Sequence, residues 1–371
     1  MKKFALAATA LALVATTITA APANAAAVDA KNATVGASCA VEKQVAPKRG
    51  ADGSDLVCRK ATIGTSKGIK QWLYKEDPIL SGLDMLITSG AGGGFDTFGV
   101  EVNNALKAEG LLASEPTKRN ISGAGQTVGL TSFYNNDSNQ PNKAVVIGWA
   151  TIGGWHVNKG TVKVSQLVPA VSLMRDPLAI AVPADSKYKT FADLVKDMKA
   201  KKIAIAGGSL GTSDHFFIAK IYEAIKKPKN MNYVAYAGGG GVVGAILSDA
   251  TFAAAVSGYD EFAPQVEAGK LRVLTISFDK RVPGVNVKTA KEQGVNVVVG
   301  NWRGIALPAG TSVENRNKFI RAISVMRASV AWQRVLSERN WTDYWQRGAQ
   351  FNNFIVTQEK QVSAAFKKLG L

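Results

Sequence analysis

Leu83-Asp84-Met85-Leu86-Ile87-Thr88-Ser89-Gly90-Ala91-Gly92-Gly93-Gly94-Phe95-Asp96 joins an apolar run to a glycine-rich turn and the start of a helical pattern that continues through Leu106. A short apolar run bounded by turn residues predicts a buried strand, and glycine lets the chain turn back tightly at its end. The same order recurs where residues 203–206 lead into the turn 207–215 and a helical pattern over 216–225. Residues 237–244 form a third glycine-rich turn of this kind. Further strands are predicted at 144–147, 179–182, 252–256 and 273–276, and further helices at 191–199 and 319–336. Strand, glycine loop and helix in repetition predict βαβ units, a largely parallel sheet and an α/β fold. Two strand-like runs, 178–182 and 297–299 with its continuation to 307, each end near a proline. If both cross between lobes, the chain between them forms a second α/β lobe. A ligand cleft then lies between the two sheets, at the carboxyl ends of the strands.

Working outward, the start of the chain has the three parts of a secretory signal peptide. Lys2 and Lys3 precede an apolar run to Ile18, and Ala23-Asn24-Ala25 supplies small residues for cleavage after Ala25. The run is shorter than the about 20 residues of a membrane span. Residues 167–182, the most apolar later stretch, are interrupted by Arg175 and Asp176. Export would place Cys39 and Cys58, the two cysteines of the chain, in an oxidising compartment where a disulfide persists. Residues 33–75 thus read as a small stapled module of two or three short strands, the clearest of them at 69–74. It is either a wall or surface attachment or an N-terminal ornament.

The composition, 46% apolar and 20% charged over 371 residues, is that of a globular chain of about two domains. With 45 basic against 28 acidic residues the formal charge is +17, near +15 once the leader is removed. Scattered lysines on an exported chain point to small anions or an anionic envelope and not to nucleic acid. Two histidines, His156 and His215, stand alone, so no metal-ligand spacing is present and no cofactor is expected.

The three glycine-rich loops carry the functional reading. Glycine merely permitting a tight turn would account for one of them. Three helix N-termini, each with unpaired N–H groups and a positive dipole end, make a site for an anion and above all a carboxylate. Two enzyme readings compete. Gly207-Gly208-Ser209-Leu210-Gly211 fits the G-x-S-x-G nucleophile elbow between strand and helix. A hydrolase also needs an acid and then a histidine after the serine, and Asp214 and His215 are the only nearby candidates. Gly123-Ala124-Gly125-Gln126-Thr127-Val128-Gly129 imitates a dinucleotide fingerprint, with its third glycine one residue late.

At these loops the chain resembles the solute-binding receptors of tripartite tricarboxylate transporters, the Bug family. The resemblance extends from about Leu83 to Leu371. It is carried by GAGGGFD at 90–96, NISGAGQTVG at 120–129, GGSLGTSDH at 207–215, SGYDEFAPQVEAGKLR at 257–272, KEQGVNV at 291–297 and NWRGIALPAGT at 301–311. The wording of the NWRG and SGYxEFAPQ stretches is nearest the tricarboxylate-receptor branch. The resemblance implies a type II-like periplasmic-binding-protein fold of two lobes joined by two crossover strands. On that basis residues 83–183 and 300–371 form one lobe and 184–299 the other. It implies a monomeric receptor without catalytic activity, closing on a citrate-like di- or tricarboxylate and delivering it to a two-component membrane permease. By position, Gly92, Gly93, Gly94 and Phe95 would present N–H groups and Asp96 would brace their loop. Ser209, Thr212 and Ser213 would supply donors from the second lobe, and Gly258, Tyr259 and Asp260 would lie on a further cleft loop. Asn301 and Arg303 complete the expected set, since a guanidinium can grip a carboxylate with two hydrogen bonds; the plainer alternative puts Arg303 on a solvated face. Departures from the family pattern are Gly90-Ala91 for the usual proline of the first loop, Val100 for an arginine, Ser122 for a proline and Gln126 for a glycine. A secreted serine hydrolase using Ser209 and an envelope-attached interaction protein are the rival expectations.

Overall fold

The computed structural model describes residues 26–370; the leader expected at 1–25 lies outside the described residues. In chain order the elements are β1 (Val45–Ala46), β2 (Leu56–Lys60), β3 (Lys70–Leu73), β4 (Asp84–Ile87), α1 (Gly94–Ala108), β5 (Thr117–Asn120), α2 (Thr127–Asn136), β6 (Lys143–Gly148), α3 (Trp149–Val157) and β7 (Val168–Pro183). They continue with α4 (Phe191–Ala200), β8 (Ile203–Gly207), α5 (Ser213–Ala224), β9 (Met231–Ala235), α6 (Gly239–Ser248), β10 (Phe252–Gly258), α7 (Tyr259–Glu267) and β11 (Leu271–Ile276). The chain closes with β12 (Gly300–Leu307), α8 (Val313–Ala328), α9 (Val330–Glu338), β13 (Thr342–Arg347) and α10 (Gly348–Leu369).

Two α/β lobes share one continuous sheet. In the first lobe the strand order is β5-β4-β6-β12-β7, with β13 on the other edge of β7; in the second it is β9-β8-β10-β7, again with a strand, β11, on the other edge of β7. The 16-residue strand β7 therefore serves both lobes. Its first half pairs with β12 and β13 and its second half with β10 and β11. The chain returns through 297–299, where the Val299 N–H bonds Ser277 O at 2.9 Å, and enters β12 with Gly300 opposite Pro177 and Asn301 opposite Asp176. Those residues are the crossing point between lobes. The expectation of a largely parallel sheet is corrected here. Each lobe has three parallel strands after β4 or β8, but β7, β11, β12 and β13 all pair antiparallel, because two strands that cross between lobes and return must run in opposite directions.

Both faces of the central strands are covered, so β4, β6, β8 and β10 are apolar almost throughout instead of alternating, while the edge strand β5 is polar and exposed. Met85, Ile87, Ala144 and Val146 face one core and Leu86, Val145 and Ile147 the other. In the second lobe Ile180, Val182, Ile203 and Ile205 face one core, and Ala179, Ala181 and Ala206 the opposite one. The helix expected over 319–336 is two helices. Ser329 leaves the helical conformation at φ −75° and ψ 155°, and its hydroxyl accepts the Trp332 N–H at 3.2 Å, capping α9. No described helix is long and apolar enough to cross a membrane; the apolar stretch 167–182 is the buried strand β7.

The N-terminal segment is a three-stranded antiparallel sheet, β1-β2-β3, with a Cys39–Cys58 disulfide at a Cα separation of 5.8 Å. Its small core holds both half-cystines, Leu56 and Trp72, whose indole N–H bonds Val28 O at 2.8 Å. The module is docked on the first lobe. Tyr74 Oη meets Ser324 Oγ of α8 at 2.9 Å, Asp52 pairs with Arg321 at 3.3 Å, and the Thr65 N–H bonds Glu109 Oε2 at 3.1 Å. Replacing both cysteines with serine should cost about 3 kcal/mol of local stability by loop-closure entropy. Amide exchange should quicken in β1–β3 while protection of the second-lobe strands stays unchanged; equal loss in both would show that the module and the lobes unfold as one unit.

Candidate functional site

A cavity of about 520 Å3 lies between the lobes, at the carboxyl ends of the parallel strands. The first loop leaves β4 and opens α1. Gly92 adopts φ +80°, a conformation that favours glycine, and its N–H bonds Asp96 Oδ2 at 2.9 Å. Asp96 also accepts Lys118 Nζ at 2.6 Å and Asn120 Nδ2 at 2.9 Å. Burial alone would raise the Asp96 pKa, but these three donors together hold it below its ordinary value, so the loop is braced by a carboxylate. Gly93, Gly94 and Phe95 line the cavity, whereas Gly92 and Asp96 stand behind it.

The second loop, between β8 and α5, is braced in the same manner from within: the Gly208 N–H bonds Asp214 Oδ2 at 3.0 Å and the Gly211 N–H bonds His215 Nδ1 at 3.2 Å. Ser209, Thr212 and Ser213 line the cavity together with Gly208 and Asp214. The hydrolase arrangement is not formed. The Ser209 hydroxyl donates to Tyr236 O at 3.3 Å, and His215, whose pKa burial lowers to about 4, spends Nδ1 on the loop's own backbone. The third glycine-rich turn, 237–241, borders the same cavity.

Gly258 lines the cavity, but Tyr259 and Asp260 beside it do not. Asp260 instead accepts the Trp341 indole N–H at 3.0 Å. At the crossing point Asn301 and Arg303 both face the cavity. Arg303 is only 3% exposed and its Nη2 lies 3.2 Å from Asp176 Oδ2, which excludes a solvated face. The Arg303 Nε and Nη1 atoms are buried without a partner, so the guanidinium retains donors for a ligand.

Several lining residues were not among those expected. The segment 122–126 forms a further wall, with Ala124 at φ 42° and Gln126 at φ 77°. Gln126 Oε1 accepts from Thr151 Oγ1 at 2.7 Å and Thr88 Oγ1 at 3.3 Å, which fixes a side chain where the resemblance has glycine. The stretch 120–129 reads as a weak nucleotide fingerprint and as one of the family stretches, but none of its residues is among those named for the site. Glu261 is the other addition. Its carboxylate from α7 accepts the Gly94 N–H of α1 at 3.0 Å, the Gly258 N–H at 3.2 Å and the Ser257 hydroxyl, and so bridges the lobes. A β-carbon on Gly239 would fall 2.0 Å from that carboxylate, so the start of α6 presses on it as well.

The result is a wall of N–H and hydroxyl donors backed by buried acids. Burial, and then Glu261, push the Asp214 pKa up to about 7; burial, and then Asp260, raise that of Glu261. Through Asp214 the folded protein binds more protons than the unfolded chain between about pH 4 and 7, whereas buried His215 acts in the opposite sense up to its ordinary value of 6.5. The stability that Asp214 contributes should fall as pH rises through that window, by about 1.4 kcal/mol per pH unit. Urea titrations from pH 4.5 to 7.5 should show the wild-type protein losing stability relative to Asp214→Asn as pH rises; parallel pH profiles for the two would contradict the assignment. Asp96→Asn, which removes the charge bracing the first loop, should lower stability by about 2 kcal/mol in the same assay at pH 7.

Fold and cleft define a two-lobed solute-binding protein. The model of the tripartite tricarboxylate transporter family receptor, TctC, matches residues 120–371, and the chain belongs to that family. Among solved structures it is similar to the periplasmic binding protein BugD, at 19% identity, covering 78% of this chain and 97% of that one with a TM-score of 0.69. It is also similar to MatC from Rhodopseudomonas palustris with bound malate, at 17% identity, 76% and 98% coverage and a TM-score of 0.67. A further R. palustris protein, solved with adipate, shares 16% identity over 78% of this chain and 97% of its own, with a TM-score of 0.64. At these identities the likeness is one of fold. No curated protein matches the chain.

Proposed function

We propose that this receptor works outside the cytoplasm, captures a small di- or tricarboxylate between its lobes as a monomer, and hands it to a two-component membrane permease. The observation that carries the reading is the convergence of the loops before α1, α5 and α6 on one cavity, each delivering a helix N-terminus. Arg303 adds a cation with unused donors at the floor. Malate and adipate in two structural relatives support carboxylates of four to six carbons as first candidates, with citrate beside them. Within this reading, Gly93 and Phe95 hold one end of the solute and Ser209, Thr212 and Ser213 the other, while Gly94, its N–H bonded to Glu261, shapes the wall between them. Gly92 and Asp96 set the shape of the first loop, while Tyr259 and Asp260 support Gly258 from behind.

Closure would exclude water and lower the local dielectric, strengthening each N–H to carboxylate contact. A thermal-shift screen with malate, succinate, adipate, citrate and tricarballylate should give at least one acid that stabilises the protein, by about 2.7 kcal/mol at one hundred times its Kd. Stabilisation by neutral sugars or peptides, with none of these acids active, would remove the proposal. Ser209→Ala should raise Kd about tenfold, the worth of one hydrogen bond to a charged group, with an unchanged melting temperature in the free protein.

A further inference from the structure

Four acids, Asp176 and Asp214 buried and Asp260 and Glu261 half-buried, lie around one guanidinium where the cleft meets the crossing strands. Asp176 is fully buried on β7, Asp260 and Glu261 open α7, and Asp214 lies in the first turn of α5. Arg303 of β12 is the cation among them, paired with Asp176. The other groups facing the cluster are the N–H groups of Gly94 and Gly258 and the hydroxyl of Ser257 on Glu261, the indole N–H of Trp341 on Asp260, the N–H of Gly208 with the Ser213 hydroxyl on Asp214, and the Tyr233 phenol near Asp214. Lys118, on the first loop's side, is committed to Asp96.

If every group were ionised, the cluster would carry three uncompensated negative charges beside a cavity meant for anions. Its hydrogen bonding is also incomplete, at Arg303 Nε and Nη1 as well as among the acids. Asp176 Oδ1, Asp260 Oδ1 and Asn301 Oδ1 are buried acceptors without a donor. Asp176 Oδ2 and Asp260 Oδ1 press on the same α-carbon, since a β-carbon on Gly258 would meet them at 2.2 and 2.7 Å. Carboxylates crowded around a single cation repel one another when ionised, which raises their affinity for a proton, and a proton bound among them relieves that repulsion. Burial, then Asp260, hold Asp176 well above the usual carboxylate range, in keeping with that geometry.

We propose that the cleft is a site for two ligands, a dicarboxylate and a proton, the proton held among Asp176, Glu261 and Asp214, with Asp260 as a neighbouring negative charge. A dianion entering the cavity adds negative charge a few ångströms from these acids and raises their proton affinity further, so capture draws a proton from solvent onto a carboxylate oxygen. No other bond changes. The inference rests on the carboxylate reading above.

The test is calorimetry with malate and adipate between pH 7 and 9, where both acids are fully ionised, in phosphate and in Tris. Uptake approaching one proton should appear as a binding heat that differs between the buffers, with Kd rising about tenfold per pH unit over that range. Glu261→Gln and Asp260→Asn should each reduce the buffer difference and the pH slope. Tight binding with the same heat in both buffers and a Kd independent of pH would overturn the inference and leave the carboxylate reading standing. Absence of binding by any di- or tricarboxylate from pH 5.5 to 9 would overturn both.

Discussion

The antiparallel pair formed by β7 and β12 is the constraint on which the rest of the molecule depends. It carries the chain from one lobe to the other and back, and it places Asp176 opposite Asn301 with Arg303 close by, the last two facing the cleft and Asp176 buried behind them. Two charges removed from water must be paired and hydrogen-bonded to be tolerated, and losing one partner of such a pair typically costs 3–5 kcal/mol. Asp176 and Arg303 meet through one contact of 3.2 Å and leave other polar atoms unmatched. The floor of the cleft is therefore a place where charge, hydrogen bonding and lobe connectivity are fixed by the same few residues.

Above that floor, the walls show how one backbone device is used repeatedly. A strand ends, glycines turn the chain, and a helix starts with its N–H groups toward the cavity. In the first two loops an acid a few residues into the helix bonds the loop's own N–H, Asp96 to Gly92 and Asp214 to Gly208. The two acids differ because their surroundings differ. Lys118 and Asn120 supply charge and donors to Asp96, whereas Asp214 sits among other acids and has no cation in contact. Glu261 goes further and takes the Gly94 N–H that a solute's carboxylate would otherwise claim, tying the lobes across the cleft.

Much of the architecture was legible in the sequence because apolar runs such as 84–88 and 203–206 are doubly buried strands, and burial on both faces leaves an unmistakable pattern. The family stretches placed Ser209, Ser213, Gly258 and Arg303, all of which line the cavity. What stayed hidden depended on partners remote in sequence. The first half of β7 contains Arg175 and Asp176, charges that break an apolar run yet are accommodated at the crossing point. Glu261 looks like an ordinary charged residue at a helix start until Gly94, 167 positions away, is brought to it. Tyr259 and Asp260 follow Gly258 in the family stretch, but the start of α7 turns them off the cavity wall, which the order of residues alone does not register. The split of the long helix at Ser329 was a capping event that apolar spacing alone does not register.

The docking of the disulfide-linked module has a mechanical consequence. Its contacts run to Ser324 and Arg321 of α8 and to Glu109 just past α1, all on one side of the crossing strands. Were that module to be fastened to a surface, the attached half would act as a fixed jaw, and the half built on β8, β9 and β10 would remain free to swing. Grip and tether would then be mechanically independent, so the protein could be held in place without being held shut.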